Sequence, residues 1–272
     1  MVVSDRISAF DVVFAEPIPE KGRVLTAMTA FWCKELSEVV DHAMLSADPS
    51  QIAGMVEGME AIGDVSGRAM LVRSAEMLPL ECIVRGYLAG QAYEEYQRSG
   101  TVHGTTLPPG LRLADPLPEP MFTPSTKAEV GHDENIDFQA AAAIVGQQTA
   151  ASVRDICLSL YERAAARVAQ AGLILADTKF ELGFLDGSIV LCDEVVTPDS
   201  SRLWPAAEVV PGSVPPSFDK QPLRDWAASG GWDRRPPAPP LPDDVVRATS
   251  QRYVDAYERV TGGSLADWYG PA

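Results

Sequence analysis

No run of apolar residues in this chain approaches the ~20 that a membrane-spanning helix requires, and nothing at its start has the pattern of a secretory signal. A cytoplasmic protein with no membrane partner is expected. Positive charge is also scarce. The 22 Lys and Arg stand against 38 Asp and Glu, a formal net charge of −16. Nucleic acids and anionic membranes need a basic face that displaces counterions, so both are set aside as partners, and any anionic substrate must meet a local basic cluster. The cysteines are four, Cys33, Cys82, Cys157 and Cys192, far apart and without a C-x-x-C pair. Each lies in an apolar or helical stretch, which points to buried thiols rather than disulfides or zinc ligands. No internal repeat is visible. What is present is 272 residues, 46% of them hydrophobic, enough for a substantial core in one large domain or two closely joined lobes.

Residues 1 to 16 read as extended structure, interrupted by Pro17 and Pro19. Leu25, Met28, Trp32, Leu36 and Val39 keep helical spacing and predict a helix over roughly 25 to 40. AMLVRSAEML (69 to 78) and LECIVRGYL (80 to 88) suggest strands paired around Pro79, followed by a helix that Gly100 stops. Pro, Gly, Thr and Asp crowd 101 to 137, predicting a long loop, and loops of that length are usually functional or disordered. The Ala-rich run from Asp137 predicts helix broken near Gly146 and capped by Gly172. Residues 205 to 242 look irregular outside PPSFDKQPLRDW, and a last helix starts with Asp243 as its cap and runs through Val246, Tyr253, Tyr257 and Val260.

One stretch breaks the pattern of a buried strand. In LILADTKFELGF (173 to 184) an apolar entry gives way to Asp177, Lys179 and Glu181 at every second position, and IVLCDEVVTPDSSR (189 to 202) then delivers Asp193 and Glu194. Alternation puts the three charges on one strand face and Thr178, Phe180 and Leu182 on the other. With a two-residue Asp186-Gly187 turn, Glu181 would pair with Cys192 and Asp193 would point away. A three-residue loop, Leu185-Asp186-Gly187, would instead set Asp193 across from Lys179 and diagonal to Glu181, and this second register is the expected one. Two carboxylates beside a lysine on a rigid hairpin suit Mg²⁺ and a triphosphate. The plainer alternative is a solvated strand face with ion pairs of about 0.5 kcal/mol each.

The flanking residues bear on that choice. ADTKFELGF followed by DEVVTPDSSRLWP resembles the C-terminal signature of the SAICAR synthetase family, and the likeness continues through SDRISAFD (4 to 11), PEKGRVLTAMTAFW (19 to 32), ECIVRGYLAG (81 to 90), FTPSTKAEVGHDENI (122 to 136) and PPSFDKQPLRDW (215 to 226). The resemblance implies an α+β fold of two lobes. An antiparallel-sheet N-terminal lobe (1 to 78) would join a larger mixed lobe (79 to 272), with the nucleotide in the cleft between them. It implies an ATP- and Mg²⁺-dependent ligase of purine biosynthesis, which joins the carboxylate of carboxyaminoimidazole ribotide to the amine of L-aspartate through an acyl phosphate. A homo-oligomer is compatible with it. By the family pattern Glu181 and Asp193 would hold Mg²⁺, and Asp177 and Lys179 would line the nucleotide and reaction centre. Arg85 and Arg202 would take the ribotide phosphate, for which a bidentate guanidinium is suited. Ser4, Asp5, Arg6, Ser8, Lys127, Asp133, Glu134, Asn135 and Ser201 would belong to the ribotide and aspartate side. His132 stays outside the catalytic set, because the ligation needs only the neutral amine of aspartate.

Three departures from the family pattern stand out. The stretch before SDRISAFD that carries a basic, glycine-containing strand-turn-strand over the ATP phosphates has no counterpart here; if that absence is genuine, ATP should bind weakly while the fold persists. Gln91 replaces a serine whose hydroxyl helps hold the ribotide phosphate. Pro222 interrupts a position usually apolar or aromatic. Two alternatives follow: a paralogue handling a related ribotide in a specialised nucleoside pathway, and a non-catalytic nucleotide- or ribotide-binding protein. The intact Asp177, Lys179, Glu181 and Asp193 speak against the second.

Overall fold

A computed structural model describes residues 1–10, 12–56, 65–127 and 133–269. In chain order the elements are β1 (Ser8–Ala9), β2 (Val12–Val13), α1 (Lys21–Glu35), β3 (Met44–Ser46), α2 (Pro49–Met55), β4 (Leu71–Val72), β5 (Glu76–Met77), β6 (Leu80–Tyr87), α3 (Gly90–Ser99), β7 (Thr101–Val102), β8 (Thr105–Thr106), β9 (Pro116–Phe122), β10 (Ser125–Thr126), α4 (Phe138–Val145), α5 (Gln147–Gln170), β11 (Leu173–Leu185), β12 (Ser188–Cys192), β13 (Ser201–Pro205), α6 (Gln221–Ser229) and α7 (Asp243–Thr261). Helices and antiparallel strands make an α+β molecule.

The 13-residue β11 is the axis of the main sheet. It pairs antiparallel with β6 and β5 along one edge and with β12 and β13 along the other, while β9 and β10 continue the sheet beyond β6. One sheet face is covered by α5, whose buried Val153, Cys157, Leu160, Ala164 and Val168 recur at helical spacing. Phe180 and Leu182 of β11, both fully buried, belong to the same core, which also takes in Met28 and Trp32 of α1 and Tyr253 and Val260 of α7. The apolar face of β11 is therefore anchored from behind. Its other face carries the charges.

The helix broken at Gly146 forms as expected: α4 is capped by Asp137, which accepts from the Ala140 amide at 2.8 Å, and Gly146 takes φ 88° between α4 and α5. Gly100 likewise ends α3 at φ 71°. Four expectations need correction. The strands around Pro79 do not pair with each other; β5 and β6 lie end to end along β11, with the register shifting by two residues between them. The stretch 101 to 137 is not one loop but holds β7 to β10, and the three prolines of β9 are accommodated because that strand pairs only with β6 and needs no donors on its outer edge. The first long helix starts at Lys21, ahead of Leu25, because Pro17 and Pro19 end before it. Asp243 is the first residue of α7 rather than its cap, which is Pro242. Pro222 falls in the first turn of α6, where a missing N–H costs no helical hydrogen bond. All four cysteines are buried. No helix among the described residues is long and apolar enough to cross a membrane.

Candidate active site

The backbone decides the hairpin register. Leu185 pairs with Ser188 and Glu181 with Cys192, so the turn is the two residues Asp186 and Gly187, at φ 51° and 80°. Two positive φ values define the turn that matches strand twist, which is why Asp-Gly closes the hairpin with no third residue. The expected three-residue loop does not form, and Asp193 does not lie across from Lys179. Asp193 nevertheless lines the same cleft as Glu181. The strand ends at Cys192 and Asp193 takes φ 54°, a left-handed conformation that aspartate tolerates better than most residues, so strict alternation stops there.

The charged face of β11 spans three strands. Asp177 is the direct cross-strand partner of Arg85 on β6 and of Arg202 on β13. Its Oδ2 accepts from Arg85 Nη1 at 2.8 Å and from Arg202 Nη1 at 2.5 Å, while Arg85 Nε donates to Thr123 Oγ1 at 3.1 Å. Two residues on, Lys179 Nζ donates to Glu81 Oε1 at 2.9 Å and to Glu181 Oε1 at 3.0 Å, and Lys127 reaches the other Glu181 oxygen. Ser201 pairs with Thr178, the hydroxyls 2.8 Å apart, and lines a small recess together with Asp177 and Arg202. This is not a solvated face. Asp177, Glu181 and Arg85 are buried, a burial that charged groups sustain only when paired.

Clefts open above this row. One of about 310 Å³ has apolar walls that include Met44, Met70, Val72 and Leu191 and a charged end of Lys127, Glu181 and Asp193. A neighbouring recess of about 280 Å³ is shared by Ser4, Lys21, Asp193, Glu194 and Asp199. Asp199 and Arg202 also line a small polar recess of about 90 Å³, and Arg202 and Gly90 line another of about 340 Å³. Burial works against the Glu181 charge, but Lys127 and Lys179 outweigh it and hold the carboxyl below its ordinary range. Asp193 is exposed at the end of the strand, yet desolvation of its carboxyl, and then Glu181, push it up, and Lys179 and Lys127 offset only part of this. Glu194 is pushed up to about 7 by burial and by Asp199, even though Thr197 donates to it at 2.5 Å.

The family model of SAICAR synthetase matches residues 1–239. The chain belongs to the SAICAR synthetase family. It is 55% identical over 278 residues to the phosphoribosylaminoimidazole-succinocarboxamide synthase of Saccharopolyspora erythraea, covering 100% of this chain and 91% of that one. It is 50% identical over 277 residues to the enzyme of the same name from Mycobacteroides abscessus, covering 100% and 90%. The SAICAR synthase from Saccharomyces cerevisiae, solved in complex with SAICAR, superposes with a TM-score of 0.87 at 39% identity over 97% of this chain and 88% of that one. The two-lobed α+β fold of SAICAR synthetases is thus the fold of this chain, and like them it is an amide-forming ligase.

The other sequence-selected residues fall unevenly about the SAICAR synthetase clefts. Gln91 is exposed in the first turn of α3, beside Gly90, where an added Cβ would lie 2.6 Å from Arg202 Nη2. Ser4 lines the recess with Lys21. Asp5 has a structural task, its Oδ1 accepting from the Gly22 amide at 2.8 Å at the start of α1. Arg6 is exposed and donates to Ser4 Oγ at 3.4 Å, and Ser8 sits in β1 opposite Val13. Asp133, Glu134 and Asn135 are exposed where the chain returns to β10, Thr126 and Glu134 bonding through their backbones. Arg6, Ser8 and 133 to 135 line none of the four clefts described here. His132 lies outside the described residues. Sequence reasoning passed over Glu81, Lys21, Asp199 and Lys220, although all four stand inside the quoted motifs. Lys21 was missed because the helix expected from residue 25 left it outside; only the observed start of α1 puts it at the helix opening, where the dipole disfavours a cation.

Proposed function

We propose that the chain forms the amide between carboxyaminoimidazole ribotide and L-aspartate at the expense of ATP, using the charged face of β11 as its reaction floor. The observation that carries this is the row Arg85–Asp177–Arg202 beside Lys179–Glu181, with Asp193 in the same cleft as Glu181, which sets the Arg202 guanidinium, held by Asp177 and Arg85, next to paired carboxylates under one set of clefts. The lobes divide at 78 and 79 in this reading. The 310 Å³ cleft draws Met70, Val72 and Met77 from one side of that division and Lys127, Glu181 and Asp193 from the other, so its apolar walls suit a base and its charged end a triphosphate.

Glu181 and Asp193 fit Mg²⁺: both offer hard oxygens, and the raised Asp193 carboxyl beside Glu181 is a like-charge pair that a cation relieves. When bound, Mg²⁺ supplies charge neutralisation at the phosphates. Lys179 and Lys127 add positive charge where the γ-phosphoryl leaves ADP for the ribotide carboxylate. The amine of aspartate then attacks the acyl carbon, the C–N bond forms, and phosphate departs with the C–O electron pair. Arg202, with the start of α3 at Gly90, takes the ribotide phosphate, while buried Arg85 holds Asp177 and through it Arg202 in place. Ser201 and Ser4 serve the ribotide and aspartate side, and Gln91 stands at the phosphate with an amide in place of a hydroxyl. The chemistry is positioning and electrostatics rather than covalent participation by the protein.

The test is an assay with the 272-residue chain, Mg-ATP, carboxyaminoimidazole ribotide and L-aspartate. ADP and the succinocarboxamide should appear one for one and only when all three substrates are present. ADP release independent of aspartate, or no product, sinks the reading.

A further inference from the structure

The long strand β11 changes faces once along its length. Leu173 and Leu175 share the core under α5 with Phe180 and Leu182, yet the first pair stands at odd positions and the second at even ones. A regular strand cannot do this, because residues an odd number apart point to opposite faces. The register against β13 shows where the parity changes: Leu175 pairs with Leu203 and Asp177 with Arg202, so Ala176 is an extra residue on β11. One inserted residue flips the side chains that follow it to the other face. Without it, the parity of Leu173 and Leu175 would carry Asp177, Lys179 and Glu181 into the core against α5. The bulge turns the charged row toward the clefts.

One side chain reaches that point from behind. The hydroxyl of Tyr161, on α5, donates to the Leu175 carbonyl at 2.6 Å, and both residues are buried. The adjoining strand leaves room for it: a Cβ added to Gly86 of β6, next to Arg85, would lie 1.9 Å from the Tyr161 oxygen. Regular pairing of β6 with β11 runs from Cys82 and Phe180 to Arg85 and Asp177, and on its other edge the register of β6 against β9 shifts between Arg85 and Tyr87. The hydroxyl thus sits where the regular sheet ends, beside the Arg85–Asp177 pair. Burial, then Tyr87 and Asp177, push its phenol up, so the group keeps its proton and stays a donor. Packing under the sheet needs only the ring. The oxygen adds a bond to the carbonyl that precedes the bulge.

We propose that Tyr161 is a positioning residue: its hydroxyl pins the Ala176 bulge and so aims Asp177, and through it Arg202, at the ribotide. The proposal rests on the ligase reading for the identity of that reactant. Tyr161 itself lines none of the four clefts described here and acts only through the backbone of β11. Because Asp177 follows the bulge directly while Lys179 and Glu181 lie two and four residues further on, loosening the bulge disturbs the ribotide side first.

The test compares the full chain with Tyr161→Phe, which keeps the ring and removes the oxygen, and with Val153→Ala, which weakens the same buried face of α5 about two turns away. Amide hydrogen exchange of the peptide spanning 173–180 reads the bulge, and steady-state kinetics read its consequence. In Tyr161→Phe that exchange should quicken and the ribotide KM rise about tenfold, with the KM values for Mg-ATP and L-aspartate within about twofold. Val153→Ala should lower the melting temperature and produce neither change. Unchanged exchange or an unchanged ribotide KM in Tyr161→Phe, or equal rises in all three KM values that Val153→Ala reproduces, would make the hydroxyl a plain core contact and overturn the proposal. If the unsubstituted chain forms no product, the ligase reading fails by itself, and calorimetric titration with carboxyaminoimidazole ribotide replaces the KM. Weaker binding by Tyr161→Phe than by the unsubstituted chain then sustains the positioning role; equal binding, or none by either, overturns it.

Discussion

Asp193 shows how one residue can be held against its own preference. Although the residue is exposed, desolvation of its carboxyl and then Glu181 raise it, so in the absence of a cation its ionisation opposes folding as pH rises above the ordinary value of 3.8. Asp193→Asn removes that opposition while keeping the shape. The variant should melt no lower than the unsubstituted chain at neutral pH. Its affinity for Mg-ATP, measured by calorimetric titration, should fall at least tenfold, because a charge-assisted contact to the cation is gone. Equal loss of melting temperature and affinity would mean that Asp193 is a structural residue. Asp193 was legible as a charge in an unexpected place, but its direction was not, since that depends on a left-handed φ of 54° that sequence alternation does not encode. Asp5 shows the converse. It stands in a motif shared with the family, yet its carboxylate caps α1 through the Gly22 amide, and nothing in the order Ser-Asp-Arg distinguishes a cap from a ligand contact.

Among the elements, β11 was readable because its pattern changes along its own length. Leu173 and Leu175 are buried at its entry, and from Asp177 onward charges and core residues alternate as a two-sided strand demands. The turn count was misjudged: Asp-Gly favours the two-residue turn with both φ values positive, and the cross-strand partners of Leu185 and Glu181 show that turn. The proline-rich β9 was hidden for another reason: composition argues against a strand, and only its place at the sheet margin lifts the objection. The hairpin supports a direct test. At Gly187, with φ 80°, an added Cβ meets no atom within 4 Å, so Gly187→Ala costs only the left-handed conformation, about 1 to 2 kcal/mol. Urea unfolding should show that loss with an unchanged m-value, and Mg-ATP affinity should hold, since the register is fixed by five cross-strand pairs as well as by the turn. A parallel loss of nucleotide affinity would mean that the turn itself sets the position of Glu181 and Asp193.

Across the whole molecule, the sequence revealed motifs but not how they converge. Nothing in the order of residues announces that Lys21, Asp199, Lys220 and Tyr253, on α1, the segment before β13, the residue capping α6 and α7, meet at one carboxylate. That meeting is a product of the sheet order and of the packing of α1 against α7. It also gives the acid response of the fold a definite source. Burial alone would raise the Asp199 carboxyl, but Lys220 and Lys21, helped by the Tyr253 hydroxyl, outweigh it and hold the folded value below the ordinary 3.8. A depressed carboxyl contributes stability that is fully present above its unfolded value and is lost as pH falls through its folded value. Asp199→Asn should therefore lower unfolding stability at pH 7 by about 3 to 5 kcal/mol, because two ammonium groups lose their shared counter-charge in a buried setting. The gap should stay constant down to about pH 4 and narrow below 3.8, as the unsubstituted chain begins to protonate the same oxygen. Urea unfolding of both chains across that range reads the difference directly. A gap that does not narrow on acidification would mean that Asp199 stabilises the fold through its shape and hydrogen bonds, with the two lysines finding compensation elsewhere.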